Sequence, residues 1–318
     1  MTVQTLLKPN ASMTTLGNVF EKVDALSKNC RDEMVPVDKI AFDSLEQIII
    51  DGEVIRMKPM AQMGIAFRLG IPMHYLKKCP AEIQRENMNH WIKKEKNEKL
   101  FIRFDGADIR AIFSPRYIPV DNFEILGKLD QIGYKSDTSV QCHIDDEFML
   151  LNIPDSARTF KINKDKHVPG ISIHNSEVGL ASVGFAAYTL RLICLNGLIA
   201  KVEIGSNRYR HVSNRVLDEF PEIIAGLTNG LSDQQERIKF SMGSSVDNPL
   251  ATIEQFNRQF QLGQSEKNAV EWAWPMEQGN TMFNVVQTYT RAAQYEPLSA
   301  HSSYKLQQVG GSILSMLN

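Results

Sequence analysis

Residues Gly170-Ile-Ser-Ile-His-Asn-Ser-Glu-Val-Gly179, followed by Arg191-Leu-Ile-Cys-Leu-Asn-Gly197, set a dense polar block inside an otherwise apolar stretch. Glycine supplies unusual backbone angles, and buried polar side chains must find hydrogen-bond partners. Asn175, Ser176, Glu177, Arg191, Asn196 and Gly197 are therefore read as a structural and polar block. The interval Val178 to Ala200 is 23 residues long and mostly apolar, which matches the length of a membrane span. Arg191 sits near its middle, where an arginine costs about 2.5–3.5 kcal/mol in a bilayer. A buried core element is the better reading. Burying Arg191 alone would be expensive, so it should meet a carboxylate (Glu177 is one candidate), backbone carbonyls or a ligand.

Hydrophobic periodicity organises the chain around this block. Residues 13–28 place Leu16, Val19, Phe20, Val23 and Leu26 at helical spacing. Strands are expected over Val35–Phe42 and Gln47–Arg56, with Asp51-Gly52 as a hairpin turn. Helical patterns follow from Pro59 to the Gly70-Ile-Pro72 break and around Ala81–Lys94. Phe101–Phe113 is a hairpin about Asp105-Gly106. Asp121 should cap a helix beginning at Asn122. Val140–Leu151, Arg158–Lys164 and Gly170–Val178 are further strand candidates. The run after Ala181 should begin as strand and pass into a helix stopped by Asn196-Gly197. Leu198–Ile204 and Arg208–Ser213 should pair around Gly205-Ser-Asn.

Beyond Asn214 the pattern is helical: Arg215–Leu227, Ser232–Met242, Leu250–Leu262, Met282–Ala293 and Tyr304–Leu317. The fold class is α+β, an N-terminal mixed region with antiparallel hairpins and helices followed by a helical C-terminal region. The division falls between 1–215 and 216–318. At 318 residues the chain can bury a substantial core. Its four cysteines, Cys30, Cys79, Cys142 and Cys194, are scattered without a CxxC pair, which fits buried thiols in a reducing cytoplasm. The first ten residues lack the charged start and apolar core of a signal peptide, so a cytoplasmic location without membrane association is expected.

Charge is uneven although the net value is only −2. Arg158 to Arg215 holds nine basic residues against three acidic ones, and Lys77 to Arg116 holds ten against six. After Leu217 the ratio reverses to six against eleven. Lys164 and Lys166, with Arg208-Tyr-Arg210 on the expected hairpin, interleave cations with an aromatic ring. That arrangement suits phosphate contact and base stacking, or equally a solvated strand face with Tyr209 half-buried. Arg116 and Tyr117, in a loop stiffened by two prolines, are either a packed ring with a surface cation or a ligand contact.

Catalytic signals are sparse. His174, Ser176 and Glu177 are near neighbours, but consecutive strand residues face opposite ways and a hydrolytic triad is normally assembled from distant segments, so the triplet carries little weight. Asp145-Asp-Glu147 could gather a divalent cation, or form an acidic turn. There is no phosphate loop, GxGxxG fingerprint or HExxH pair, so no cofactor and no metal are expected. Met282, Val285, Val286 and Tyr289 read as a core-facing helix stripe.

Five segments together resemble a family: Leu69–Leu76, Arg110–Tyr117 with Asn122, Gly170–Gly179, Arg191–Gly197 and Asn284–Ala293. The chain resembles the phage- and plasmid-associated proteins grouped as domain of unknown function 932, over about residues 45–310. The resemblance implies a role on mobile elements, concerned with DNA, and carries over no catalytic residues. Three readings stand beside one another. One is a DNA-binding protein of phage or plasmid metabolism, acting in single-strand annealing or recombination. It would use a basic groove of Arg110, Arg116, Lys164, Lys166, Arg208 and Arg210, with Tyr117 and Tyr209 stacking and homo-oligomers extending the groove. The second is a structural or host-interaction protein without catalysis. The third is a metal-dependent nucleic-acid enzyme using Asp145, Asp146 and Glu177.

Overall fold

The computed structural model describes residues 13–163, 165–192, 196–200, 215–229 and 233–317. In chain order it begins β1 (Met13–Thr15), α1 (Leu16–Ser27), β2 (Cys30–Pro36), β3 (Ile40–Phe42), β4 (Gln47–Ile50) and β5 (Glu53–Arg56). Then come α2 (Pro59–Arg68), α3 (Met73–Leu76), α4 (Ala81–Ile92), β6 (Lys99–Asp105), β7 (Asp108–Phe113) and α5 (Asn122–Gln131). The centre is β8 (Ser139–Ile144), β9 (Met149–Pro154), β10 (Phe160–Ile162), β11 (Asp165–Asn175), β12 (Gly184–Arg191) and β13 (Asn196–Ala200). The chain continues with α6 (Arg215–Asp218), α7 (Phe220–Asn229), α8 (Asp233–Gly243) and α9 (Pro249–Gln259). It ends with α10 (Gln264–Glu277), α11 (Met282–Ala292) and α12 (Ala300–Ser315). The fold is α+β, with antiparallel sheets first and helices last.

The seven-stranded sheet runs β1-β8-β9-β11-β12-β13, and β10 shares an edge of β11 with β9. Successive strand residues face opposite sides, and β9 is buried from Met149 to Ile153, so both faces are covered. One face, through Met149, Leu151, Ile153, Ile171 and Ile173, meets α1, α5, α6 and α7. The other, through Leu150, Val168, Ala186, Tyr188 and Leu190, meets α12 at Ala300 and Tyr304. Helices α8–α12 form their own core, into which Ile162 of β10 projects. The division after residue 215 therefore marks a change of secondary structure. Val216, Leu217 and Phe220 share a core with Leu16 and Val19 at the opposite end of the chain.

A separate N-terminal module packs two three-stranded sheets, β2-β6-β7 and β3-β4-β5, against α2–α4. Its β4–β5 turn places Asp51 at φ 52° and Gly52 at φ 87°, as a tight two-residue hairpin requires. The Asn89 side chain both accepts from the Phe42 N–H (2.9 Å) and donates to the Phe42 carbonyl (2.8 Å), standing in for a strand neighbour. None of the described helices is long and apolar enough to cross a membrane.

One expectation is corrected. The run after Ala181 does not pass into a helix: β12 is followed by β13, with Leu190 opposite Gly197 and Arg191 opposite Asn196. Asn196 and Gly197 are thus strand residues, not a helix stop. An apolar run of this length has no periodicity that separates helix from strand, and burial on both faces favoured strand pairing. Of the hairpin expected next, Leu198–Ala200 lie in β13 and the remainder falls outside the described residues. Helix α10 is an addition; its Trp-Ala-Trp-Pro stretch masks helical spacing, and Pro275 lies inside the helix.

Gly170 marks the closest strand approach. A Cβ there would lie 2.1 Å from the Ile153 carbonyl oxygen and 2.8 Å from Pro154 Cα. Those are backbone atoms of the paired strand and cannot turn aside. Gly170→Ala should cost about 3 kcal/mol, read as a lower urea midpoint with an unchanged slope.

Candidate functional site

The polar block assembles where the N-terminal module meets the main sheet. On β6–β7 the register shifts between Arg103 and Phe104, leaving Arg110 without a residue opposite it. Such a bulge re-aims a side chain. The Arg110 guanidinium donates to Glu177 Oε2 at 2.6 Å, and both side chains are nearly enclosed. Glu177 Oε1 accepts the Asn122 N–H at 2.7 Å, at the start of α5. The Glu177 carbonyl accepts from Arg103 (3.1 Å) and from the Tyr117 hydroxyl (3.3 Å).

The surrounding residues complete the joint. Arg103 reaches Asp32 on β2 and Asp121, the α5 cap, at 2.7 Å. Burial alone would lower its pKa, but Asp121 and Asp32 outweigh that and raise it. Asn175 donates to the Val120 carbonyl (2.9 Å) and to Asn122 Oδ1 (3.0 Å). Ser176 Oγ donates to the Glu147 carbonyl (2.7 Å) and accepts the Leu180 N–H. Gly179, at φ 87°, approaches Phe113 so closely that a Cβ there would lie 2.7 Å from its Cε1.

The basic groove expected from the sequence is corrected here in two places. Arg110 is consumed by Glu177 and does not face open solvent. Tyr117 is stacked on Phe113 with ring centres 3.8 Å apart, and burial raises its hydroxyl pKa. Arg116 and Lys166 are exposed. Lys164, Arg208, Tyr209 and Arg210 lie outside the described residues.

Arg191 meets carboxylates, though not Glu177. It bonds Asp165 (2.6 Å) on the neighbouring strand and Glu277 (3.1 Å) at the end of α10, and Glu277 also receives Arg291 of α11. His174 does not join Ser176 and Glu177: it lies against Tyr304 of α12, with a 3.2 Å contact to its hydroxyl. Asp145 caps its own turn, accepting the N–H groups of Glu147 and Phe148, and its other oxygen accepts the Ala300 N–H. Among the described residues no three His, Cys, Asp or Glu side chains are placed to hold a metal ion.

Two concave features flank the joint, separated by Met60 and Val178, which line both. One is a small cavity of about 140 Å³ whose lining includes Lys58, Asp105, Arg110 and Asp145–Phe148. The second is an open groove of about 850 Å³ between α2, the end of α4, the end of β7 and Val178–Gly179. Its lining includes three exposed apolar side chains: Phe67 at 89%, Met63 at 47% and Trp91 at 43%. Lys94 stands over the Trp91 ring at 4.6 Å, and Lys96 is exposed beside it. The one acid in that lining, Glu95, is bonded by Arg68 (3.0 Å) and by the backbone and side-chain amides of Asn97. Burial opposes ionisation of Glu95, but the Asn97 amides and Arg68 hold its carboxyl below the usual range.

Sequence reasoning read the segments that hold Phe67 and Trp91 only as helices, and spacing does not say which side chains stay uncovered. The available signal was the excess of cations from Lys77 to Arg116, which includes Lys94 and Lys96.

Glu177→Ala should cost about 3–5 kcal/mol, because it leaves the Arg110 guanidinium enclosed without its counter-charge. Glu177→Gln, which can still accept the Asn122 N–H, should cost less; urea denaturation of both variants compares them. A second expectation concerns His167, which is 2% exposed and stacked on Phe160. Burial and then Arg191 push its pKa down to about 4, against an opposing pull from Asp165. The unfolded chain, with a histidine near 6.5, binds the extra proton between those values. Stability is therefore full above about pH 6.5 and falls by up to about 3 kcal/mol as pH drops towards 4. His167→Phe should flatten that part of the stability–pH curve.

No protein-family model, no curated protein and no solved structure matches this chain.

Proposed function

We propose that this chain binds single-stranded DNA in the groove between α2 and the end of α4, as a DNA-binding protein of phage or plasmid metabolism acting in strand annealing or recombination. The observation that carries the proposal is that the exposed rings of Phe67 and Trp91 line one concave surface together with Lys94 and Lys96. Exposed rings give every base a face to stack on, whatever its identity, and that is worth about 1–3 kcal/mol per base. Lysines on the rim meet the backbone phosphates. Glu95, on the same surface, is already bonded by Arg68 and Asn97, which reduces its repulsion of a phosphate. Arg116, exposed beyond Tyr117, adds a cation close by in the chain. The mobile-element context comes from the family resemblance.

The proposal moves the stacking role from Tyr117 to Phe67 and Trp91, and the phosphate role from Arg110 to Lys94 and Lys96. Duplex DNA keeps its bases stacked on one another and cannot offer them to these rings, so single strands are favoured. No metal is needed for such binding.

Fluorescence anisotropy of a labelled single-stranded oligonucleotide across a salt series tests this. Log affinity should fall linearly with log salt, with about 0.7 of slope for each phosphate neutralised. Lys94→Gln with Lys96→Gln should lower that slope by about 1.4. Phe67→Ala and Trp91→Ala should each weaken binding by about tenfold with the slope unchanged. Absence of binding at low salt, or affinity unmoved by the aromatic pair, would overturn the proposal.

A further inference from the structure

A strand at the margin of a sheet leaves one row of N–H and C=O groups for another strand to take. In the β2-β6-β7 sheet the far strand, β7, is bridged at Ile109 by Met57. In the β3-β4-β5 sheet, Asn89 covers the margin at Phe42. Strand β2 is left open. It is seven residues long and its partner is β6, and Arg31, Asp32, Glu33 and Met34 are all exposed. Among the described residues, the backbone groups of these four make no hydrogen bond beyond those to β6.

Successive residues of this strand carry different chemistry to its two faces. Arg31 and Glu33 share one face, where each side chain is half-exposed and the two form an ion pair. The Arg31 guanidinium also lies 3.8 Å from the centre of the Phe104 ring. Asp32 turns to the other face, where Arg103 bonds it at 2.9 and 3.1 Å.

We propose that β2 is the contact of a homodimer, in which the β2 strands of two copies pair antiparallel about a twofold axis at Asp32. The occupant is a second copy because the strand is complementary to itself. A twofold axis makes each contact twice, and this register sets Arg31 of each copy opposite Glu33 of the other. Opposite charges facing one another across antiparallel strands stabilise the pair, and like charges there destabilise it. The neighbouring registers that keep paired side chains on one face set Arg31 opposite Arg31, or Glu33 opposite Glu33. Asp32 meets its own copy, but each of these carboxylates is held by the Arg103 of its own chain. Cys30 of each copy lies opposite the exposed Met34 of the other. The two three-stranded sheets then continue into one another through β2. None of these residues lines the groove between α2 and α4, so the dimer stands or falls independently of DNA binding.

Sedimentation velocity of the full chain across a micromolar concentration series should show a reversible monomer–dimer equilibrium. Glu33→Arg and Arg31→Glu should each weaken the dimer by about tenfold or more, since two attractive pairs become two repulsive ones. Both positions are on the surface, so each variant should keep the thermal midpoint of the parent chain. An equimolar mixture of the two variants should recover the dimer, because each arginine of the Glu33→Arg chain then faces a glutamate of the Arg31→Glu chain. A parent chain that stays monomeric throughout the series would overturn the proposal and leave the edge to a strand of another protein. A dimer that tolerates both substitutions would place the contact elsewhere and overturn it equally. Loss of the dimer in both variants without recovery on mixing would refute the pairing of Arg31 with Glu33 between copies.

Discussion

The Arg110–Glu177 ion pair is the interaction on which the rest of the arrangement depends. Neither charge can be left alone in an enclosed place, so each fixes the other. Glu177 does more than neutralise Arg110. Its second oxygen holds the start of α5, and its carbonyl holds Arg103 and Tyr117. One residue therefore ties β6, β7, the proline-stiffened loop and α5 to the end of β11. The next two residues, Val178 and Gly179, line the groove, and Glu177 itself lines the cavity. Both concave features inherit their shape from this joint.

A second charged cluster does similar work at the opposite end of β11. Arg191 links Asp165 on that strand to Glu277 at the end of α10, and Arg291 of α11 shares Glu277. The Phe283 ring lies 5.1 Å from the Arg191 guanidinium, adding a cation–π contact. This cluster anchors the acidic helical region to the sheet, so some of that acidity is spent on structure. Between the two clusters, Tyr304 meets His174 and Asn152 meets Gln307, a polar seam between the sheet and α12. Directional bonds of this kind specify one position of α12 over others that would bury similar apolar area.

Local signals were legible where one short segment decides the outcome. Asp51-Gly52 adopts the positive φ pair that closes its hairpin, and Asp121 caps α5 with Glu124 accepting its N–H at 2.9 Å. Phe101–Phe113 forms the hairpin its alternation implies, but the bulge at Arg110 is invisible in that alternation. The Asn175–Gly179 block was recognisable as special without its meaning being readable. Its residues find partners on β6, β7, α5, the loop before α5 and the β8–β9 turn, 29 to 74 positions away. Tyr117 and Arg110 were read as open to ligand because side-chain type says nothing about which neighbour claims it first.

The sequence by itself determined the α+β class, the antiparallel hairpins, most helix positions and the need for Arg191 to find a polar partner. These follow from periodicity, turn chemistry and the cost of a lone buried charge, all of which act over a few residues. Tertiary structure decided that β12 turns back into β13, since covering both faces of a sheet is a property of the assembled layers. It also decided which carboxylate each arginine meets, and which rings remain uncovered. Phe67 and Phe104 are alike in the sequence, yet one is 89% exposed and the other 2%. Burial is set by what packs opposite a residue, and only the folded chain specifies that.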